Sequence, residues 1–125
     1  MTHSVLVADD EPNIVLSLEF LLQQAGYRVR TAHDGQQVLD AIAAETPDLL
    51  LLDVMMPTLS GYDVCQRIRA DPRCAGLRIV MLSAKGRAAE VDKGLAVGAD
   101  AYVTKPFAIQ ELLAEVARQL PPSPM

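Results

Sequence analysis

The chain has 125 residues, half of them hydrophobic and under a quarter charged, which suits one compact domain and excludes a disordered segment. Its net charge of -5 argues against contact with a nucleic-acid backbone, and no apolar run approaches the roughly 20 residues that cross a bilayer. The start, "MTHSVLVADDEP", lacks a basic leader region, and Cys65 and Cys74 have no metal-type spacing, so free thiols in a reducing, cytoplasmic setting are expected.

Residues 4–8, "SVLVA", read as a short strand that runs into acid. The next stretch, "EPNIVLSLEFLLQQAG", predicts a helix with Ile14, Leu18, Leu21, Leu22 and Ala25 inward; Pro12 fits its first turn and Gly26 stops it. "YRVRTA" (27–32) alternates like an edge strand with one wet face. Asp34 is an N-cap candidate for a helix carrying Val38, Leu39 and Ile42, which ends near Thr46-Pro47. "DLLLLD" is a strand with no alternation. Ser60 or Gly61 begins a helix with Val64, Cys65 and Ile68 that reaches Arg69, and "DPRCAG" reads as a loop.

"LRIVMLSA" (77–84) is a fourth strand. "GRAAEVDKGLAVG" predicts a helix over 86–97 with Val91 and Leu95 inward and Gly98 as its C-cap; Gly94 and a thin apolar stripe make it weak in isolation. "DAYVTKP" holds the fifth strand. "AIQELLAEVARQL" is strongly amphipathic, with Ile109, Leu112, Leu113, Val116 and Leu120 on one stripe. Residues 1–120 are the expected domain, and "PPSPM" (121–125) is a tail or the beginning of a linker.

Strands alternating with helices imply an α/β fold: a (βα)5, doubly wound, flavodoxin-like parallel sheet with right-handed crossovers. The strands without alternation, 4–8, 49–52 and 77–82, belong in its middle, and 27–32 belongs at an edge. That gives the order 2-1-3-4-5, with a crevice at the carboxyl ends of strands 1 and 3.

The polar residues fall at those ends. Asp9 and Asp10 follow strand 1, Asp53 follows strand 3, Ser83 ends strand 4 and Lys105 ends strand 5. Each alone has a plain structural role open to it: the acids as helix caps, Ser83 as a turn residue, Lys105 as a solvated loop lysine. Together they put three carboxylates, a hydroxyl and an ammonium in one crevice. Crowded carboxylates take up a proton or bind a cation. Oxygen ligands with room for water suit Mg2+ better than zinc, and His3 and His33 are poorly placed for zinc. Mg2+ and Lys105 would together neutralise a phosphoryl group, and a carboxylate can itself be the nucleophile. Asp53, between the acid pair and Lys105, is the best candidate.

Those motifs, "VLVADDEP", "LLLLDVMMPTLSGYDVCQRIR", "IVMLSAKG" and "GADAYVTKPF", resemble the response-regulator receiver domains of two-component signalling over residues 3–120. The resemblance implies that Asp53 is phosphorylated from a phosphohistidine on a sensor histidine kinase or a histidine phosphotransfer protein. It implies Asp10 as the direct Mg2+ ligand, Asp9 acting mainly through water, and the Met55 backbone carbonyl as a further ligand; Mn2+ is an alternative ion. Ser83 and Lys105 would hold phosphoryl oxygens, Tyr102 would be the aromatic switch coupled to Ser83, and Lys105-Pro106 would be a cis peptide. The expected domain is not an enzyme in the ordinary sense, since it promotes only its own phosphorylation and dephosphorylation.

The switched surface would be helix 86–97, strand 100–103 and helix 108–119. Its partners would be an effector protein or a fused output domain, with a phosphorylation-dependent dimer as a further option, and no nucleic acid or membrane bound directly. Departures from the family pattern are Ser60 where an acid is common, Ala101 where a second acid often stands, and Ser83 where threonine is commoner. Three competing readings fit less well. A non-phosphorylated interaction module would lack part of the constellation. An aspartate phosphatase would carry a second aspartate where Met55 stands, and a mononucleotide binder would need a glycine- or hydroxyl-rich loop in place of "DDEP".

Overall fold

The computed structural model describes residues 3–84 and 96–120. Five parallel strands form one sheet in the order β2-β1-β3-β4-β5. They are β1 (Ser4–Ala8), β2 (Arg28–Ala32), β3 (Leu49–Asp53), β4 (Arg78–Ala84) and β5 (Ala101–Lys105). Between them run α1 (Pro12–Gln24), α2 (Gly35–Ala44) and α3 (Gly61–Arg69), and a C-terminal helix spans Ile109–Gln119. The expected helix 86–97, with Val91, Gly94 and Leu95, falls almost wholly outside the described residues, as does the tail 121–125.

The unbroken apolar runs take the middle of the sheet because both of its faces are covered. Val5, Val7, Leu49 and Leu51 point to one side, where Leu18 and Leu22 of α1 and Leu112 and Val116 of the C-terminal helix pack on them. Leu6, Leu50 and Leu52 point to the other, against Val38 and Ile42 of α2 and Val64, Cys65 and Ile68 of α3. All four β3 leucines are fully buried, and truncating any one to alanine should cost about 2–5 kcal/mol. Edge strand β2 keeps an exposed Arg28 and a half-wet face, as its alternation predicts.

Local signals set the helix ends. Pro12 opens α1 and Gly26 follows it at φ +100. Asp34 accepts the Gln37 N–H at 2.8 Å, and Ser60 accepts the Asp63 N–H at 3.2 Å. Gly98 sits at φ +110, in keeping with a C-cap.

Four details depart from the expectations. Val15, not Ala25, lies on the buried stripe of α1, because the helix ends at Gln24 and Ala25 is its exposed cap. Ile109 is exposed; it is the first residue of its helix, ahead of Leu112 and Val116, which pack on the face of the sheet. "DPRCAG" contains a short 3-10 turn, Pro72–Cys74, opened by Asp71 accepting the Arg73 N–H at 2.9 Å. Strands β2 and β4 each begin one residue later than read, at Arg28 and Arg78.

Candidate functional site

Parallel register brings the strand ends together. Ala8 pairs with Leu52, and Leu52 with Met81, so the residues that follow emerge side by side. Ligand oxygens of Asp9, Asp10 and Asp53 all lie within 4.8 Å of one another. Asp9 is fully buried, Asp53 is nearly so, and Asp10 is exposed at the mouth. Ser83 is buried on β4, and Lys105 ends β5 beside it in the sheet.

Lys105 is the cation that answers these acids. Its Nζ lies 2.6 Å from Asp9 Oδ2, 3.6 Å from Asp53 Oδ1 and 3.9 Å from Glu11 Oε1. Burial works against its charge, but the Asp9 hydrogen bond and the Asp53, Asp9 and Glu11 charges outweigh burial and hold its pKa above the ordinary value. The other Asp9 oxygen accepts the Glu11 N–H at 2.9 Å, and the Met55 N–H donates to Asp53 Oδ1 at 3.3 Å. Burial first, then the charge on Asp9, pushes Asp53 up to about 7, with Asp10 adding to the rise. Lys105 and the Met55 N–H pull the other way without cancelling it. The Lys105 ammonium is therefore too little by itself to balance this cluster.

Backbone packing shapes the crevice. Gly61 lies so close to β3 that a Cβ there would sit 2.4 Å from the Asp53 carbonyl oxygen, and its N–H donates to the Val54 carbonyl at 2.8 Å. The Lys105–Pro106 peptide is cis. Tyr102 packs against the α2–α3 side of the sheet, and its hydroxyl is buried with no hydrogen-bond partner among the described residues. The Met55 side chain is exposed beside the crevice.

The donors in the cluster are all oxygen, which fits a hard divalent cation such as Mg2+ and not zinc. His3 stands at the opposite edge of the sheet, 3.7 Å from Asp48. Every polar residue expected at the carboxyl edge is found there. Glu11 stands at the N-cap position of α1. Its side chain caps nothing and instead reaches toward Lys105.

The profile of the response regulator receiver domain matches residues 5–117. The "Probable transcriptional regulator ycf27" of Guillardia theta is 47% identical over 114 residues, which are 91% of this chain and 44% of that protein. The chain thus spans less than half the length of that relative. Among solved structures, chemotaxis protein CheY4 of Vibrio cholerae superposes with a TM-score of 0.90 at 32% identity, covering 96% of this chain and 100% of that one. The BeF3-activated DrrB receiver domain gives 0.86 at 37% identity, covering 96% and 98%. No helix among the described residues is long and apolar enough to cross a membrane. With its crevice, its strand order and these matches in agreement, the chain belongs to the response regulator receiver domains of two-component signalling.

Proposed function

We propose that Asp53 is the phospho-acceptor of this receiver, fed by a phosphohistidine on a sensor histidine kinase or a histidine phosphotransfer protein. The observation that carries this reading is the convergence of Asp9, Asp10 and Asp53 within 4.8 Å, with Lys105 against Asp9 and Asp53. An Asp53 carboxylate oxygen attacks phosphorus, the bond from phosphorus to the donor imidazole nitrogen breaks, and that nitrogen leaves with the bond's electron pair. Asp10 and Asp53, with Asp9 and the Met55 carbonyl, would hold Mg2+, or Mn2+ in its place. When bound, that ion supplies positive charge to the transferring oxygens. Lys105 moves from Asp9 toward the new phosphoryl oxygens, and Ser83 supplies a hydroxyl to another. Tyr102, whose buried hydroxyl has no hydrogen-bond partner among the described residues, repacks as Ser83 moves.

Donor approach is supported by the surface beside Lys105. A groove of about 630 Å³ runs between α1 and the loop after β5, lined by Ile14, Leu18, Phe107 and Ile109 among others. Leu16 and Phe20 extend an uncharged face outward along α1. Such a face suits the apolar side of a donor helix.

The domain acts as a cytoplasmic switch and promotes only its own phosphorylation and dephosphorylation. The phosphoryl charge biases an existing equilibrium of the surface formed by 86–97, 100–103 and 108–119. That surface passes the signal to an effector or a fused output domain, with phosphorylation-dependent dimerisation as one form of output. Residues 1–120 make the domain, and 121–125 a tail or linker. Intact-mass measurement after incubation with Mg2+ and acetyl phosphate tests the reading. The parent should gain one phosphoryl group and Asp53→Asn none; no gain in the parent, or equal gain in both, would remove it.

A further inference from the structure

The loop from β3 to α3 contains the chain's one described non-glycine residue with positive φ, Thr58 at +68. The Leu59 N–H donates to the Pro57 carbonyl at 2.9 Å across it. A hydrogen bond from residue i+2 to residue i around a positive φ is a γ-turn of the rare, strained hand. A β-branched side chain makes that conformation a true outlier. The Thr58 hydroxyl donates to the same Pro57 carbonyl, which helps hold the turn closed.

Two glycines clamp this turn. A Cβ on Gly35, at the start of α2, would lie 2.5 Å from Leu59 Cβ and 2.7 Å from the Leu59 carbonyl oxygen. The Gly35 N–H also reaches the Pro57 carbonyl at 3.4 Å. At the far end Gly61 presses on the Asp53 carbonyl, where a Cβ would sit 2.4 Å away. Backbone contacts that only glycine allows therefore fix the loop on both sides of Thr58. Strain of this kind persists where the surroundings over-determine the backbone, and it gathers at functional sites.

We infer that Thr58 is a positioning residue: its clamped turn presets the backbone from Asp53 to Pro57, so that the Met55 carbonyl meets a divalent cation without rearrangement. This inference rests on the reading of the crevice as a Mg2+ and phosphoryl site. A pre-set loop loses no conformational freedom when the ion arrives, and affinity gains by that amount. The turn, rather than the threonine methyl, is what matters. Asparagine tolerates the left-handed region and should preserve it, whereas glycine opens the loop to other backbone states.

Full-length parent, Thr58→Gly and Thr58→Asn proteins are titrated with Mg2+ by calorimetry, and Leu59 amide exchange is followed in EDTA. Thr58→Gly should weaken Mg2+ binding about fivefold, in line with the loss of one preorganised loop, and should lose Leu59 protection. Its melting temperature should not fall, which separates lost positioning from lost folding. Thr58→Asn should keep both the affinity and the protection. Parent-like Mg2+ binding by Thr58→Gly overturns the inference, as does an equal loss in Thr58→Asn. A parent that takes up no Mg2+ overturns the crevice reading and this inference with it. A parent that binds beside an unaffected Thr58→Gly overturns this inference alone.

Discussion

At the amino edge of the sheet, Arg69 donates to the Gly98 and Leu77 carbonyls at 2.8 and 2.7 Å and to Asp100 at 2.7 Å. Asp100 also takes the Ile79 N–H at 2.8 Å. At the carboxyl edge, Lys105 alone among the described residues faces Asp9, Asp53 and Glu11. Both ends gather charge from distant parts of the chain. One is saturated, with each partner matched by geometry, and joins α3 to the beginnings of β4 and β5. The other carries surplus acid, and burial first, then the Asp9 charge, pushes Asp53 up to about 7. A satisfied cluster has little left to offer a ligand, while an unsatisfied one needs a visitor to complete it.

The largest effect should come from breaking the saturated end. Arg69→Met strips donors from partly buried acceptors and should cost about 3 kcal/mol, read as a lower urea midpoint with an unchanged slope. Mg2+ binding should be untouched, because the crevice lies at the opposite edge. A loss of Mg2+ affinity in this variant would undo the separation of the two ends.

A smaller effect, of opposite sign, belongs to the surplus end. The folded-state pKa of Asp53 is about 7 against an ordinary 3.8, so between those values the folded protein holds a proton that the unfolded chain releases. The group's contribution to stability is full below pH 3.8 and is lost as pH rises through 7. In EDTA at pH 8, Asp53→Asn should therefore be more stable than the parent by roughly 2 kcal/mol. The gap should close as pH falls toward 4 and should shrink when Mg2+ is added to the parent. A gap independent of pH would mean that the acids are already balanced.

The smallest effect marks the baseline for both. Arg118, itself exposed, pairs with Glu115 on the C-terminal helix, i to i+3. Arg118→Ala should melt with the parent within error, because such pairs are screened and cost side-chain freedom to hold. A clear shift would show that surface pairs weigh as much as the two edge clusters.

Much of the crevice is readable along the chain because a parallel sheet sends the ends of all its strands to one edge. Asp9, Asp53, Ser83 and Lys105 each close an apolar run, and alternation alone places them together. The strand order is readable for the same reason: unbroken runs sit centrally and "YRVRTA" sits outside. What the sequence conceals is contact between distant segments. Arg69 meets residues 29 and 31 positions away, and nothing near it announces Gly98 or Asp100. The positive φ of Thr58 is hidden because threonine disfavours it, so propensity points the wrong way. Ile109 fits the apolar stripe by spacing, yet it is the first residue of the helix and stays exposed while Leu112 and Val116 are buried.

The Lys105–Asp9 bond joins residues 96 apart, the first strand to the last. A ribosome delivers Asp9 long before Lys105, so during synthesis the carboxylate that follows β1 has no Lys105 to pair with. Burying Asp9 in the closed sheet gains its Lys105 partner only once β5 has emerged, so the finished crevice depends on the last strand. A transcript cut short before residue 105 would leave that acid uncompensated and its product exposed to degradation.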